Sequence, residues 1–330
     1  MMFSNFKRCS FLLAGVLAVT GCSTTQPTQQ NTAVPSAEFS LKVPRYGHAA
    51  VADDSHIYVL GGSNKDGLVS SIEIIDPETN ETTLLKDMII PRRYFSAVWD
   101  GEESIYIFGG VSDSRYVTEK TVEVFNTRTH KVTQVTDMPM PRRFVSATRI
   151  DDVVYLTGGT APASKTPTHG DRLNWQYETS ALNTAYNLND DSWIRLKNLP
   201  AAYDTRTVEL NGEVCAVGGY NDVQAWSKVA CYNIQKDRWH FLTDLPDVTS
   251  AHSIVNYQGD IYSFGDYETL TRTLKYDSTD QTWSPTNLPY IGRRHTAAVV
   301  FNDSIYVIGG NTGSRGPFLD TVQVFDMAVE

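Results

Sequence analysis

The chain has 330 residues, enough for one large domain or two ordinary ones. With 41% hydrophobic, 11% aromatic and 20% charged residues it is ordinary globular material, which excludes a largely disordered chain. A formal charge of −10 excludes nucleic acid as a natural partner, because phosphates demand a basic surface.

Residues 1–22, MMFSNFKRCSFLLAGVLAVTGC, start with the cations Lys7 and Arg8 and run into an apolar stretch from Phe11 to Val19. That stretch falls short of the about 20 apolar residues a bilayer span needs. It reads as the apolar core of a secretory signal. Val19-Thr20-Gly21-Cys22 resembles the lipobox of bacterial lipoproteins. The resemblance implies that residues 1–21 are removed and that Cys22 is acylated, with Ser23 directing the product to the outer membrane. An ordinary signal cleaved nearby is the alternative. The mature charge becomes 26 basic minus 38 acidic residues, or −12. The Ser/Thr/Gln/Pro-rich segment after Cys22 cannot bury a core and reads as a tether. The expected plan is a signal over 1–21, an acylated Cys22 and tether over 22–37, and one folded domain over 38–330. The membrane is then reached through lipid alone, on the periplasmic side or at the cell surface.

Glycine doublets recur after β-rich runs at Gly61-Gly62, Gly109-Gly110, Gly158-Gly159, Gly218-Gly219 and Gly309-Gly310, with a degenerate copy at Gly265-Asp266. The steps of 48, 49, 60, 47 and 44 residues lie in the range of propeller blades. Each unit runs in the same order. A small-residue strand (HAAVA, FSAVW, HTAAVV) precedes a strand into the doublet (IYVLGG, IYIFGG, IYVIGG), then one ending in Asp or Asn (EIID, EVFN, QVFD). The fourth strand carries Trp193, Trp239 or Trp283 in three units and ends near proline. These units resemble the kelch repeat, over residues 38–330. Four short antiparallel strands per unit, without helical periodicity, predict an all-β, six-bladed kelch-type β-propeller. The last unit stops one strand short at QVFDMAVE, while AEFSLKVP (37–44) precedes the first. The N-terminal strand is therefore expected to complete the last blade, residues 38–43 pairing with 320–326, and to remove the exposed edges.

In a kelch-like blade the innermost strand starts at one face of the disc, here called the top. Aligned at that point are Arg45-Tyr46, Arg92-Arg93, Arg142-Arg143, Ala202-Tyr203, Thr249-Ser250 and Arg293-Arg294. Arg206 lies further along, level with Ser96, Ser146, Ser253 and Ala297, and is expected to point toward the channel. So dense a cluster of cations needs carboxylates or an anionic ligand. The first arginines, Arg45, Arg92, Arg142 and Arg293, match the kelch consensus, and bonds to blade carbonyls or to a ligand both fit them. Arg93, Arg143 and Arg294 are not explained by that consensus, and with Arg206 they are assigned to ligand contact.

Further top-face chemistry comes from the loops between second and third strands. The longest, 160–183, offers Asp171, Arg172, Trp175, Tyr177 and Glu178; others add Arg115, Tyr116, Tyr220 and Trp226. Tyr203, Tyr220, Trp175 and Trp226 beside the arginines suit a sugar acid or an acidic peptide, since rings stack on C–H faces and guanidinium forks hold carboxylates. Trp175 and Trp226 equally suit stapling their own loops. Copper chemistry like that of galactose oxidase needs a Cys–Tyr cross-link and His ligands. His48, His252 and His295 instead sit in first strands, and His56, His130, His169 and His240 lack ligand spacing, so no metal or cofactor is expected. Cys215 and Cys231 fall on adjacent strands of one hairpin, where an exported protein can form a disulfide if the register allows.

Two functions fit. One is a membrane-anchored module that binds an anionic ligand or a protein partner through the arginine-rich top face. The other rests on similarity in fold, blade count and export to bacterial N-acetylneuraminate epimerases (mutarotases). That resemblance implies sugar-acid isomerisation by a carboxylate near an arginine. Its glutamate would follow the glycine pair of a middle blade, where this chain has Tyr220, which leaves Glu178 as the candidate acid or base.

Overall fold

The computed structural model describes residues 37–112, 117–163 and 177–329. The signal segment, Cys22 and most of the tether lie outside them, as do Arg115, Tyr116, Asp171, Arg172 and Trp175.

Six four-stranded antiparallel sheets make up the fold. Blade one consists of Ala49–Ala52, Ile57–Leu60, Ile72–Ile75 and Thr82–Leu85. Blade two uses Ser96–Trp99, Ser104–Phe108, Val122–Asn126 and Val132–Gln134. Ser146–Ile150, Val153–Thr157, Asn183–Asn187 and Ser192–Arg195 form blade three. Blade four has the three longest strands, Asp204–Leu210, Glu213–Tyr220 and Ala225–Asn233, followed by the short outer strand Arg238–Phe241. Blade five follows with Ser253–Tyr257, Asp260–Phe264, Thr273–Asp277 and Thr282–Pro285. The first strands of neighbouring blades contact one another in a closed cycle, so they line the axis of a six-bladed propeller. The two middle strands of a blade, such as Ile57–Leu60 and Ile72–Ile75, are buried on both faces. That is why they read as continuous apolar runs rather than as alternation.

Blade six joins Ala297–Phe301, Ser304–Ile308 and Thr321–Asp326 to the N-terminal strand Ala37–Ser40. The register runs from Ala37↔Val324 to Ser40↔Thr321, and Leu41 N–H donates to the Asp320 carbonyl at 2.8 Å. Pairing thus begins one residue earlier than expected and ends at Leu41. Past that residue the chain must cross to blade one, where Lys42 N–H donates to Glu73.

The glycine doublets have one steric cause. A Cβ on Gly109 would lie 2.3 Å from the carbonyl oxygen of Arg142, in the linker entering the next blade, and the backbone there has φ of +70°. The second glycine, Gly110, donates its N–H to that same oxygen at 2.9 Å. The carbonyls of Arg92, Tyr203, Thr249 and Arg45 accept in the same way from Gly62, Gly159, Gly219 and Gly310. In blade five Asp266 replaces the second glycine, and its buried carboxylate accepts from the amides of Ser250, Glu268 and Thr269 at 2.9–3.1 Å. On the outer rim the indole N–H groups of Trp193, Trp239 and Trp283 donate to carbonyls of the linker leaving the preceding blade, Thr136, Lys197 and Thr243.

Cys215 and Cys231 face each other on the two middle strands of blade four, where their sulfurs form a buried disulfide. Alkylation of unreduced protein should label neither thiol. A Cys215→Ala/Cys231→Ala variant should lose about 3 kcal/mol by chemical denaturation, the value for a loop of about 15 residues. Deleting residues 37–44 should lower the melting temperature sharply and promote self-association by baring the edge of Thr321–Asp326. An unchanged melting temperature would show that blade six closes without the N-terminal strand.

Candidate functional site

The first arginines turn back into their own blades. Arg45, Arg92 and Arg142 are wholly buried. Arg45 donates to the carbonyls of Gly61 and Ser71 and pairs with Glu73 at 3.2 Å. Arg92 donates to Gly109 and Thr121 carbonyls and pairs with Glu123 at 2.6 Å. Arg142 has a hydroxyl, Thr184, where the others have a carboxylate, and donates to the carbonyls of Leu156, Gly158 and Leu182. Burial alone lowers its pKa to about 9, whereas Glu73 partly offsets burial at Arg45, which falls to about 10. Arg293 donates to Thr321 and Gly309. The residue facing the arginine on the third strand tracks it: Glu73, Glu123, Thr184 and Gln323 where it is present, Ala230 and Leu274 where Tyr203 and Thr249 replace it. Of the two roles open to these arginines, the geometry shows blade bracing, and it keeps Arg92 and Arg142 off the cavity described below.

The second residues lead into a backbone belt at the mouth of the channel. Gly47, Tyr94, Phe144, Ala251 and His295 each have φ between +54° and +60°. Each linker donates to the one before it: His295 N–H to Ala251, Gly47 to His295, Tyr94 to Gly47 and Phe144 to Tyr94, at 2.7–3.0 Å. Tyr94 packs over Phe144 at 4.1 Å and near His295 at 5.5 Å between ring centroids, so this part of the mouth is covered by aromatic rings.

Blade four breaks the belt. Its linker is one residue shorter, with a register shift between Asp204 and Arg206 where the other blades place the left-handed residue. The sequence alignment of Ala202-Tyr203 with Arg142-Arg143 is therefore off by one. Tyr203 carries the carbonyl equivalent to that of Arg142, and Asp204 stands where Arg143 stands in blade three.

The break opens a cavity of about 740 Å³, lined among others by Arg143, Phe144, Thr160, Asp204, Arg206 and Tyr94. Arg206 points into the channel as expected, close enough for its charge to contribute to the low pKa values of His252 and His295. Burial is the larger cause and holds both at about 3. Among the described residues neither Asp204 nor Arg206 belongs to an ion pair. Asp204 accepts a hydrogen bond from Thr160 Oγ1 at 2.8 Å. Desolvation pushes its carboxyl up to about 7, against the weaker opposing effects of Thr160, Arg206 and Arg143, while Asp222 adds to the rise.

Other residues named from sequence divide around this cavity. Arg143 lines it, with its guanidinium 4.6 Å from the Tyr177 ring centroid, and Tyr220 lines it half-exposed. Arg93 lies over Tyr46 and Tyr94 and donates to Tyr46 Oη. Arg294 lies 3.7 Å over Tyr267 and donates to that residue's carbonyl. Tyr203 is buried and stacked by Trp226 at 5.3 Å, and neither lines the cavity. Glu178 is exposed on the short hairpin of Thr160–Pro162 and Tyr177–Thr179, opposite Ala161 and off the cavity. Asp204, Asp222, Asp247, Asp266 and Glu268 do line it, and Asp204, the one that shares the first strand of blade four with Arg206, was missed by sequence reasoning. The signal was a unit one residue short before Arg206.

A six-bladed propeller whose units repeat a glycine doublet at the end of the second strand, with a linker arginine in four units and an outer-strand tryptophan in three, defines a class. Residues 47–266 match the KLHDC2/KLHL20/DRC7 Kelch-repeats domain and residues 292–328 match the Kelch motif. The chain belongs to the kelch-repeat family. Relatives include Kelch-like protein 23 of Mus musculus, 24% identical over 303 residues, covering 89% of this chain and 50% of the relative. Kelch-like protein 36 of Bos taurus is 28% identical over 141 residues, 41% of this chain and 22% of its own. Beta-scruin of Limulus polyphemus is 30% identical over 116 residues, 31% and 13% respectively. The chain spans half the length of Kelch-like protein 23 at most.

Asp204 should leave a mark on stability. Its folded pKa is about 7 against an ordinary value of 3.8, so the folded state keeps a proton that the unfolded chain releases. Stability from this group is full below pH 4, declines as pH rises, and is gone above pH 7. Asp204→Asn should therefore melt close to wild type at pH 4 and several degrees higher at pH 8. A melting difference that does not change with pH would place the Asp204 carboxyl in an ordinary, solvated environment.

Proposed function

We propose that this propeller is a membrane-tethered binding module that takes an anionic group of its ligand, a sugar acid or an acidic segment of a protein partner, into the cavity at blade four. The observation that carries the reading is that Arg143 and Arg206, from different blades, line one open cavity and neither is neutralised by an ion pair among the described residues. A carboxylate placed between them gains charge-assisted, bidentate hydrogen bonds of about 1.5–3 kcal/mol each. Half-exposed Tyr220 and Tyr267 and exposed Val223 and Val248 line the same cavity, an apolar margin suited to a protein surface or a sugar face. The kelch-like relatives support a protein partner. Cys22 and the tether, as read from the sequence, would hold the module at the outer membrane by lipid alone. For the sugar-acid isomerase alternative, Glu178 stands exposed and off the cavity, so binding is the reading carried forward.

Calorimetry with N-acetylneuraminate and with an acidic peptide tests it. Wild type should bind at least one of them, with a salt dependence shallower than that of an exposed ion pair. Arg143→Ala/Arg206→Ala should weaken binding by about tenfold or more per arginine. Arg206→Lys should also weaken it, because an ammonium lacks the planar fork. Binding retained by the double variant would put the site elsewhere, and no binding by wild type would leave the arginines as braces.

A further inference from the structure

The cavity is not simply cationic. Asp204 and Arg206 lie two residues apart on one strand, across the register shift, and both face the opening. Arg143 adjoins them through Thr160, whose backbone bridges Arg143 and whose hydroxyl donates to Asp204. Two guanidiniums therefore share their space with a carboxylate that neither has captured in an ion pair.

An anion drawn to Arg206 and Arg143 must come close to that carboxylate, and two carboxylates sharing a site cannot both stay ionised unless a hydrogen lies between them. That hydrogen has two sources. Either the ligand carries a donor next to its anionic group, or Asp204 takes a proton from solvent.

We infer that Asp204 sets the selectivity of the blade-four cavity, so that α-hydroxy and α-amino carboxylates enter in preference to plain carboxylates, which enter only with uptake of a proton. This rests on the cavity being an anion site, and it adds the class of anion. The donor on the favoured ligand bonds Asp204 while its carboxylate bonds the arginines; the plain acid leaves Asp204 unpaired or protonated.

The other charged groups facing Asp204 fit a single titration there. Asp222, from the hairpin of the same blade, favours the protonated form, while Arg206 and Arg143 oppose it. On the linkers entering blades five and six, burial keeps His252 and His295 neutral. On the blade-five wall Arg272 is paired with Asp247 and Asp266, and backbone amides hold the Asp266 carboxylate. Glu268 lines the same wall.

Three ligands of one skeleton test the inference: 3-phenyllactate, phenylalanine and 3-phenylpropionate, whose ring suits the Tyr94, Phe144, Tyr220 and Tyr267 lining. Binding to the whole protein is measured by calorimetry at pH 6 and pH 8. At pH 8 phenyllactate and phenylalanine should bind about tenfold or more tighter than phenylpropionate. Phenylpropionate should tighten by about tenfold on going to pH 6, as the protonated fraction of a group titrating near neutrality rises from about a tenth to about nine-tenths. Its binding heat at pH 8 should vary with the ionisation enthalpy of the buffer. Asp204→Asn, whose amide supplies a hydrogen at every pH, should bind phenylpropionate equally at both pH values and erase the preference. If wild type binds all three equally at pH 8 and Arg206→Ala abolishes all three, the selectivity is overturned while the anion site stands. If wild type binds none of them at either pH, both fall.

Discussion

The fold turns on one contact: the carbonyl oxygen at the start of each blade linker, lodged against the glycine doublet of the blade before it. At Gly109 and Gly110 that oxygen belongs to Arg142, and it fills the space a Cβ would need while accepting the second N–H. Neighbouring β-blades otherwise meet through side chains, which fix distance but not height. A backbone hydrogen bond at five of the six junctions sets both, and so sets where those linkers enter the axis, while at the sixth the Arg293 carbonyl packs against Gly265. The first arginine completes the joint by binding inward to its own blade while its carbonyl binds backward. Wholly buried Arg45 and Arg92 are tolerable because carbonyls and one carboxylate satisfy each of them.

Once the linkers are fixed in height, the residue after each pair is forced into a left-handed conformation and a belt closes the channel mouth. Blade four omits that residue. The consequence is local and chemical, since the belt stops at Phe144 and resumes at Ala251, and the space between becomes the cavity. A linker shorter by one residue thus opens a cavity in a structural repeat, with Arg143 held at an isolated bridge to Thr160 and Arg206 within the first strand of blade four. Kelch-repeat membership accounts for the scaffold and not for the cavity, which arises where this chain departs from its own repeat.

An acidic protein that buries several arginines must place them against acceptors, and the structure sorts them into three chemical groups. Those at the first linker position donate to carbonyls, carboxylates or hydroxyls of their own blades. Arg93 and Arg294, at the second position, lie on aromatic faces, and Arg143 reaches Tyr177 in the same way while also lining the cavity. Among the described residues Arg206 hydrogen-bonds the carbonyl of Thr205 and interacts electrostatically with Asp204 and Tyr94. Charge density along the sequence therefore overstates the cationic character of the top face, most of which is spent inside the molecule.

The sequence by itself determined the blade count, the strand order and the N-terminal closure. These follow from spacing and from strand-length apolar runs, which are local properties that survive without coordinates. It also placed Arg206 level with the small residues of the other first strands, because counting back from a glycine doublet fixes register. What only the tertiary structure decided was which arginines face inward and where the axis is open. Arg142 and Arg143 are adjacent in the chain, yet one is sealed in blade three and the other lines the cavity, because successive strand-like residues point to opposite sides. Asp204 was invisible for a different reason. Its position equivalent to Arg143 depends on a register shift that is seen only when Asp204 pairs with Tyr220 and Arg206 with Val217. Its perturbed carboxyl depends in turn on Thr160 and Asp222, the first 44 positions before it and the second on its own blade's hairpin, which only the packing of consecutive blades and hairpin folding bring together.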